Sequence, residues 1–310
     1  MTAMLILDNG TWRVGLLPDL GGSIAYGQVR LGETWVDAMR PTPDSPERAG
    51  DTASFPLVPW SNRISGPSLL WDGTEHPLRV TSAGETASHG VGRYVPWEVA
   101  EADASHVTLS LDSRTVPDAN FPWPFTTRFT YALEGDRFRV TMSLTNVSDE
   151  TFPAGLGHHP YFERRLGTSE APRGGEVELQ VRCDSAYELV NSLPTGPAGA
   201  LPERADFRTR HALGDTVVDD CLTGRTDPVV ATITWPRALQ LDMEADESLS
   251  HLIFFAPKGK PFFAVEPVSH VNDSLRLFGE GVADADALGV RALAPGETFT
   301  TEWSLVATVL

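Results

Sequence analysis

The sequence lacks the features of a membrane protein or a disulfide-stabilised secreted protein. Its 310 residues include only two cysteines, Cys183 and Cys221, which fit neither a disulfide framework nor the close spacing of zinc ligands. No apolar run approaches the roughly 20 residues of a membrane-spanning helix. Residues 1–20 show no secretory signal. We therefore expect a cytoplasmic protein in which both cysteines are small buried side chains.

Positive charge is also in short supply. The chain has 24 Lys and Arg residues against 42 Asp and Glu residues, which gives a formal net charge of −18. Such a charge opposes attraction to phosphate backbones and to anionic lipid surfaces. We predict no nucleic-acid partner and no membrane partner. A phosphorylated small molecule is only mildly disfavoured, because a local arginine cluster can outweigh the global charge.

Signals for long helices are equally scarce. The 24 prolines and 27 glycines are spread along the chain, so turns are frequent and long helices are hard to place. The sequence has no strand–helix alternation, no glycine-rich phosphate loop, no heptads and no repeat of fixed period. Only Asp284–Leu288 favours a short helix. The loose tracts Arg40–Thr52 and Asn191–Leu201 are interpreted as surface loops inside one domain.

Alternation with a period of two residues dominates the sequence. From Phe138 to Leu144, apolar residues alternate with polar ones, which predicts a strand with one buried and one polar face. Similar patterns predict strands at Met4–Leu7, Thr11–Leu16, Val107–Leu111, Val177–Val181, Ile233–Trp235, Ile253–Phe255, Phe262–Val265 and Glu302–Val309. Short polar turns separate these strands. We therefore predict an all-β fold, an antiparallel sandwich or barrel, with residues 1–310 in a single domain.

The first candidate for chemistry is the stretch Gly155–Phe162, which contains His158, His159, Pro160 and Tyr161. Histidine can exchange a proton near neutrality, because its unperturbed pKa is roughly 6.5. Pro160 lacks an amide donor, so the strand ladder is expected to end or bulge there and to place an imidazole at the rim of a sheet. A histidine pair satisfied inside a packed β protein is an equally good interpretation of this stretch alone.

Three further polar groups lie elsewhere in the chain. Arg63 follows Asn62 and offers a fork of donors that suits paired oxygens. His89 stands in a glycine-rich loop, and the acidic pair Asp219 and Asp220 is flanked by apolar residues. Taken singly, these features also fit a solvated arginine, a loop histidine and a polar turn.

Glu266 is a carboxylate at the end of the apolar run that starts at Phe262. Burial there would raise the pKa of Glu266 towards that of a useful base. Pro267 follows directly, so the ladder is expected to stop at this point. A charged residue that ends an apolar strand is uncommon, which favours a functional role.

These residues together resemble a known family. Five short motifs occur in the order and approximate spacing of the aldose 1-epimerases, also called galactose mutarotases: Asn62-Arg63, His89-Gly90, His159-Pro160-Tyr161-Phe162, Asp219 and Glu266-Pro267. The similarity covers nearly the whole chain. It implies a large antiparallel β-sandwich of the galactose mutarotase type, with few short helices and a sugar pocket on the concave face of one sheet. It also implies interconversion of the α and β anomers of a free aldose, with no metal and no cofactor.

The resemblance implies a role for each matching residue. His159 matches the general acid and Glu266 matches the general base. The residues that match the substrate-binding positions are Asn62, Arg63, His89 and Asp219.

Two positions depart from the family pattern. The family often has an Asp-His pair and then an aromatic, where this chain has Asp219-Asp220 and Leu222, so either aspartate is a candidate for the pocket. His158 is an extra imidazole beside His159. Strand alternation would point His158 to the opposite face, so we interpret it as structural.

The expected reaction makes specific demands on the acid and the base. Opening a pyranose needs a proton on the ring oxygen and removal of the proton from the anomeric hydroxyl, and each catalyst is worth roughly 10²–10⁴-fold in rate. A glutamate with a reference pKa near 4.3 is ionised at pH 7, whereas a histidine near 6.5 is mostly neutral. We therefore expect a nearby carboxylate, Asp219 or Glu266, to raise the pKa of His159 and keep it charged.

The resemblance and these residues predict a cofactor-independent isomerase, an aldose 1-epimerase whose partner is a small-molecule sugar and which is a monomer or a weak homodimer. A hexose-6-phosphate 1-epimerase would need several basic residues around the phosphate; Arg63 and Arg93 would serve, without an obvious third. A non-catalytic carbohydrate-binding or sensing protein would not need both His159 and Glu266. A glycoside hydrolase needs two carboxylates at set separations, which Asp219 and Glu266 would meet only by coincidence.

Overall fold

The computed structural model describes residues 4–167 and 171–310, and strands dominate it. In the first part of the chain they are β1 (Leu5–Asp8), β2 (Trp12–Leu17), β3 (Ser23–Leu31), β4 (Thr34–Asp37), β5 (Pro56–Leu57), β6 (Arg63–Ser65), β7 (Ser68–Trp71), β8 (Thr74–Pro77), β9 (Thr86–Ser88), β10 (Glu98–Ala102), β11 (His106–Asp112), β12 (Phe125–Glu134), β13 (Arg137–Asn146), β14 (Phe152–Ala154), β15 (Gly157–His158) and β16 (Tyr161–Glu163). They continue with β17 (Leu166–Gly167), β18 (Pro172–Arg173), β19 (Glu178–Val181), β20 (Cys183–Tyr187), β21 (Leu189–Val190), β22 (Leu193–Pro194), β23 (Gly199–Ala200), β24 (His211–Ala212), β25 (Val218–Arg225), β26 (Val229–Trp235), β27 (Leu239–Ala245), β28 (His251–Ala256), β29 (Phe262–Val268), β30 (Arg291–Leu293) and β31 (Thr298–Val309). The described α-helices are α1 (Ser274–Gly279) and α2 (Ala285–Leu288), and short 3-10 helices lie at Ala49–Asp51, Gly92–Tyr94, Ser113–Thr115 and Glu203–Ala205.

Two large sheets organise these strands. A nine-stranded sheet has the order β10-β11-β12-β13-β31-β27-β26-β19-β24. An eight-stranded sheet has the order β23-β20-β25-β28-β29-β15-β5, and β16 also pairs with β29. Strands β1 to β4 form a separate four-stranded meander. Every pairing between the described strands is antiparallel, as the short connections in the sequence predict.

The alternation of apolar and polar residues explains which face of the nine-stranded sheet is buried. In β13, buried residues alternate strictly with half-buried ones from Arg137 to Asn146. Phe138 and Val140 lie opposite Leu305 and Trp303 of β31, and all four side chains are buried. One face of the sheet therefore packs into the core, and the predicted all-β sandwich is confirmed.

His158 shows how the two sheets meet. It lies on β15 of the eight-stranded sheet and is fully buried. Its ring lies 5.5 Å from Trp303 and 6.0 Å from Phe129, centroid to centroid, and both partners belong to the nine-stranded sheet. The inner face of β15 thus packs against the opposite sheet, and His158 points to that face, as alternation predicts.

The helices agree only in part with the sequence. The predicted helix Asp284–Leu288 is present as α2, and the Asp284 carboxylate caps it by accepting from the Ala287 amide at 2.8 Å. Helix α1 was not predicted, because its six residues, Ser274–Gly279, are too few to show a period of 3.6 residues. The predicted loop Asn191–Leu201 also contains β22 and β23, which are two residues each.

Both cysteines are free and buried, as predicted. Cys183 belongs to the apolar layer between the sheets, and Cys221 belongs to a smaller cluster on the outer side of the eight-stranded sheet. Within residues 4–167 and 171–310, no helix is both long enough and apolar enough to span a membrane.

Candidate active site

A pocket of about 220 Å³ opens on the outer face of the eight-stranded sheet. Strands β25, β28 and β29 contribute its floor, and loops near Phe55 and His89 contribute its walls. The six residues that the sequence predicts for the site all line this pocket: Asn62, Arg63, His89, His159, Asp219 and Glu266. The fold thus brings motifs more than 200 positions apart into one cavity.

His159 reaches the pocket because the ladder is interrupted where Pro160 predicts it. Strand β15 ends at His158, and β16 begins at Tyr161. Between them the backbone changes partners: the His159 amide donates to the Phe55 carbonyl at 3.1 Å, and the Tyr161 amide donates to a carbonyl two residues earlier, at residue 53, at 2.9 Å. The imidazole therefore stands at the rim of the sheet, beside Phe55.

Glu266 lies inside β29, and the expectation that Pro267 ends this strand is wrong. The strand continues to Val268, with Pro267 paired opposite Leu252 of β28. The Ser269 amide donates to the Leu156 carbonyl, next to β15, at 2.9 Å. Backbone nitrogens two residues apart in a strand point in the same direction. The nitrogen of Pro267 therefore faces the interruption between β15 and β16, where no ladder hydrogen bond is lost.

The central feature of the pocket is a contact between a histidine and a carboxylate. His159 Nε2 lies 3.1 Å from Glu266 Oε1, and the two residues are only 7% and 1% exposed. The Tyr161 hydroxyl lies 3.4 Å from the same nitrogen. His159 Nδ1 and Glu266 Oε2 are buried without a hydrogen-bond partner among the described residues. Both groups therefore keep unused hydrogen-bonding capacity beside the cavity.

Two loops with left-handed backbone positions hold Asn62 and His89 at the pocket. Asn62 and His89 adopt left-handed φ values of 52° and 62° and bond to each other. The His89 amide donates to the Asn62 carbonyl at 2.7 Å, and the Asn62 amide donates to His89 Nδ1 at 3.1 Å. Arg63 Nη1 donates to Asn62 Oδ1 at 3.2 Å. Gly90 is required here, because a Cβ would lie 1.9 Å from the Val58 carbonyl oxygen.

The structure also distinguishes the two aspartates. Asp219 lines the pocket and accepts from the Ser192 hydroxyl at 3.1 Å. Asp220 points to the other face, is fully buried, and accepts from Arg204 Nε at 2.9 Å and from Arg204 Nη2 at 2.5 Å. Of the pair, only Asp219 is placed to meet a ligand in this cavity.

Comparison of the chain with known proteins identifies its family. The family model described as aldose 1-epimerase matches residues 5–304. The chain belongs to the aldose 1-epimerase family. The uncharacterized protein YphB of Escherichia coli (strain K12) is 28% identical to it over 267 residues, which cover 83% of this chain and 84% of that relative.

Two solved structures show the fold of the aldose 1-epimerase family in this chain. A galactose mutarotase-like protein from Clostridium acetobutylicum superposes with a TM-score of 0.85 at 18% identity, over 99% of this chain and 95% of its own. The GalM/aldose epimerase homologue from C. elegans superposes with a TM-score of 0.81 at 18% identity, over 100% of both chains. The predicted galactose mutarotase-like sandwich is confirmed.

The charge state of the central pair differs from the sequence expectation. Burial lowers the pKa of His159 well below its ordinary value, and the guanidinium groups of Arg93 and Arg40 act in the same direction. Burial raises the pKa of Glu266 well above its ordinary value, and the Asp219 carboxylate adds to the rise. The prediction that a carboxylate raises the pKa of His159 is wrong, because burial and the two arginines lower that pKa.

Six further residues of this family member line the pocket, of which only Arg93 was predicted there, and only for the phosphate alternative: Phe55, Ser88, Arg93, Tyr161, Ile253 and Phe255. Strand pairing contained a signal for two of them, since Phe255 lies opposite Asp219 and Ile253 lies opposite Glu266. Directly paired residues point to the same face of a sheet. Such pairings depend on the strand register, which the sequence does not provide.

Proposed function

We propose that the protein is an aldose 1-epimerase that interconverts the α and β anomers of a free aldose through His159 and Glu266. The observation that carries this proposal is the 3.1 Å contact between His159 Nε2 and Glu266 Oε1, at the wall of a pocket lined with polar side chains. A sugar that presents its ring oxygen and its anomeric hydroxyl to these two groups from the pocket would meet an acid and a base within proton-transfer reach.

In the proposed reaction the His159–Glu266 pair gives one proton to the sugar and takes one proton from it. His159, as imidazolium, gives the proton on Nε2 to the ring oxygen, while the Glu266 carboxylate takes the proton of the anomeric hydroxyl. The bond between C1 and the ring oxygen breaks, its electrons go to the ring oxygen, and C1 becomes an aldehyde carbon. Rotation about the C1–C2 bond exposes the other face, and the same transfers in reverse close the ring.

Burial favours the neutral form of the His159–Glu266 pair. Before ring opening the pair carries a positive and a negative charge, whereas afterwards His159 and Glu266 are both neutral. The same burial lowers the pKa of His159 and raises the pKa of Glu266, so it stabilises the neutral pair. The free site therefore rests with both groups neutral, so forming the imidazolium and the carboxylate adds to the cost of the first transfer, and the pair returns to its favoured neutral state in the open-chain complex.

The binding residues offer complementary donors and acceptors. His89 Nδ1 already accepts from the Asn62 amide. Burial lowers the pKa of His89, so the ring is neutral and its proton belongs on Nε2, free to donate to a hydroxyl. The Asp219 carboxylate can accept from a hydroxyl, and Arg63 retains donors beyond the one used by Asn62. This set suits an uncharged polyol.

The direct test is polarimetry on freshly dissolved α-glucose and α-galactose. We expect the optical rotation to reach its equilibrium value faster with the protein than without it. If no aldose equilibrates faster, the proposal fails. Binding of sugar without turnover would indicate a carbohydrate-binding protein on the same fold.

A hexose-6-phosphate 1-epimerase is the second candidate, because Arg63 and Arg93 line the same pocket. Among the described residues, no third basic side chain lines it, and Asp219 and Glu266 oppose a phosphate. Comparison of rates on glucose and on glucose 6-phosphate separates the two activities, and we expect the free sugar to be the faster substrate.

Arg63→Ala is expected to act mainly on substrate affinity. Apart from its bond to Asn62, no described group accepts a hydrogen bond from Arg63, so its remaining donors are available to sugar hydroxyls. Loss of a hydrogen bond to a charged group costs about 1.5–3 kcal/mol, so KM should rise about tenfold or more while kcat changes little. An unchanged KM in steady-state polarimetry would remove Arg63 from the binding set.

The pH dependence of kcat/KM should be bell-shaped. The pair is active when it holds one proton, so activity falls when it gains a second proton and when it loses the first. The lowered pKa of His159 places the acid limb below the ordinary histidine value, and the raised pKa of Glu266 places the alkaline limb above the ordinary glutamate value. A profile that is flat across both limbs would contradict this scheme.

A further inference from the structure

Planar groups stack on both sides of His159. Its ring lies 4.4 Å from the Tyr161 ring and 4.8 Å from the Phe55 ring, centroid to centroid, and each pair is tilted by 32°. Arg40 lies over the Tyr161 ring with its Cζ 3.7 Å from the centroid. Arg93 lies over the Phe55 ring at 4.1 Å. Rings this close on a single face would overlap, so Tyr161 and Phe55 occupy opposite faces of the imidazole.

The stack matters because His159 has little else to orient it. A functional histidine is usually oriented by a hydrogen bond from its second ring nitrogen to a carbonyl or a carboxylate. Here Nδ1 is buried and has no hydrogen-bond partner on any other described residue; the backbone of His159 itself is the only described backbone group that acts on the ring. Nε2 is the nitrogen that faces Glu266 and Tyr161, so it has to remain available for proton transfer. Contacts on the two ring faces therefore fix the plane of the imidazole.

A single loop joins the two ends of the stack. Arg40 Nη2 donates to the Gly50 carbonyl at 2.8 Å and also to the Thr52 carbonyl. Arg93 Nη2 packs against the same glycine, since a Cβ added to Gly50 would lie 3.0 Å from it. The Arg40 guanidinium is thereby held by the backbone of residues 49–52, and the Arg93 guanidinium lies beside the same segment.

We propose that Arg40 and Arg93 are positioning residues that hold the His159 imidazole in its working orientation by closing the two ends of this stack. Their contribution to turnover rests on the proposed epimerase function, whereas their effect on the imidazole itself does not. Both act through Tyr161 and Phe55, with no contact to the sugar required. A guanidinium is suited to this role because it is planar, permanently charged and stacks on aromatic faces.

The two arginines also act on the charge of the ring. The ionisable groups around His159 are Glu266, Tyr161, His89, His158, Arg40 and Arg93. After burial, the guanidinium groups of Arg93 and Arg40 are the largest influences that lower the pKa of His159. Removal of either positive charge should therefore make the imidazole easier to protonate.

Arg93→Met tests the proposal most cleanly, because no described group accepts a hydrogen bond from the Arg93 side chain and a methionine fills similar space. The titration of His159 is followed by NMR on the sugar-free protein labelled in its histidines. We expect its midpoint to move to higher pH in Arg93→Met. We also expect kcat to fall about tenfold or more, with KM within about threefold of the wild-type value.

Three variants complete the comparison. Arg40→Met should act in the same direction, although it also removes two backbone hydrogen bonds. Arg93→Lys keeps the charge but not the plane, so the midpoint should stay near the wild-type value while kcat still falls. Arg48→Met is the matched control, because Arg48 belongs to the same loop region but pairs with Asp51, has a side chain that is 78% exposed, and should change neither quantity.

The outcomes separate this inference from the proposed function. An unchanged His159 titration in Arg93→Met overturns the inference, whatever the activity. A raised KM with an unchanged kcat also overturns it, because Arg93 would then bind the substrate directly. A shifted titration in a protein that equilibrates no aldose supports the effect of Arg93 on His159 and rejects the proposed function alone.

Discussion

Glu266→Gln should lose nearly all anomer interconversion, with kcat lower by about 10²–10⁴-fold and the fold unchanged. The amide has almost the same shape as the carboxylic acid, and its oxygen can still face His159 Nε2 at the present 3.1 Å. It cannot take the proton of the anomeric hydroxyl. Because Glu266 is only 1% exposed and burial favours its neutral form, the neutral amide should not destabilise the protein.

The measurement for Glu266→Gln is polarimetry at saturating sugar, together with a thermal unfolding curve. Glu244→Gln is a suitable control, because Glu244 lies on β27 of the nine-stranded sheet, pairs with Arg137 and does not line the pocket. We expect the control to retain wild-type kcat. Comparable turnover in Glu266→Gln would show that the base is another group.

The features that depend on a single strand could be predicted from the sequence. The alternation from Phe138 to Leu144 predicts which side chains are buried, because the period of two is a property of the strand itself. The interruption at Pro160 could be predicted for a similar reason, since a missing amide donor is local chemistry. The placement of His159 at a sheet rim follows from that interruption.

The same rule failed at Pro267 because the outcome depends on a neighbour. A proline disrupts a ladder only on the side to which its nitrogen points. In β29 the nitrogen of Pro267 faces the interruption between β15 and β16, where Pro160 lies. Pro267 therefore does not break a continuous ladder. No feature of either segment alone reveals this pairing, which is set by the register between β15 and β29.

The protonation state of His159 was the other property that could not be predicted from the sequence. Proximity of carboxylates argues for a raised pKa at His159, whereas the structure shows that burial and two arginines lower it. Arg40 and Arg93 are remote in sequence from His159, and Tyr161 and Phe55 connect them to it through ring contacts. The motifs thus identify which residues meet, while the protonation state of those residues depends on the loops around them.

His159→Asn and His158→Asn form the second decisive comparison, because neighbouring histidines face opposite sides of the sheet. His159→Asn removes the acid, so kcat should fall by about 10²–10⁴-fold. His158 is fully buried and has the Ser54 hydroxyl at Nδ1 and the Tyr131 hydroxyl at 3.3 Å from Nε2. His158→Asn should therefore keep its kcat.

The cost of His158→Asn should appear in stability instead. A shorter side chain cannot reach both hydroxyls, and an unsatisfied buried polar group costs about 1–3 kcal/mol. Urea unfolding should show that loss for His158→Asn. Equal losses of kcat in the two variants would overturn the assignment of the acid, because only one of these rings faces the pocket.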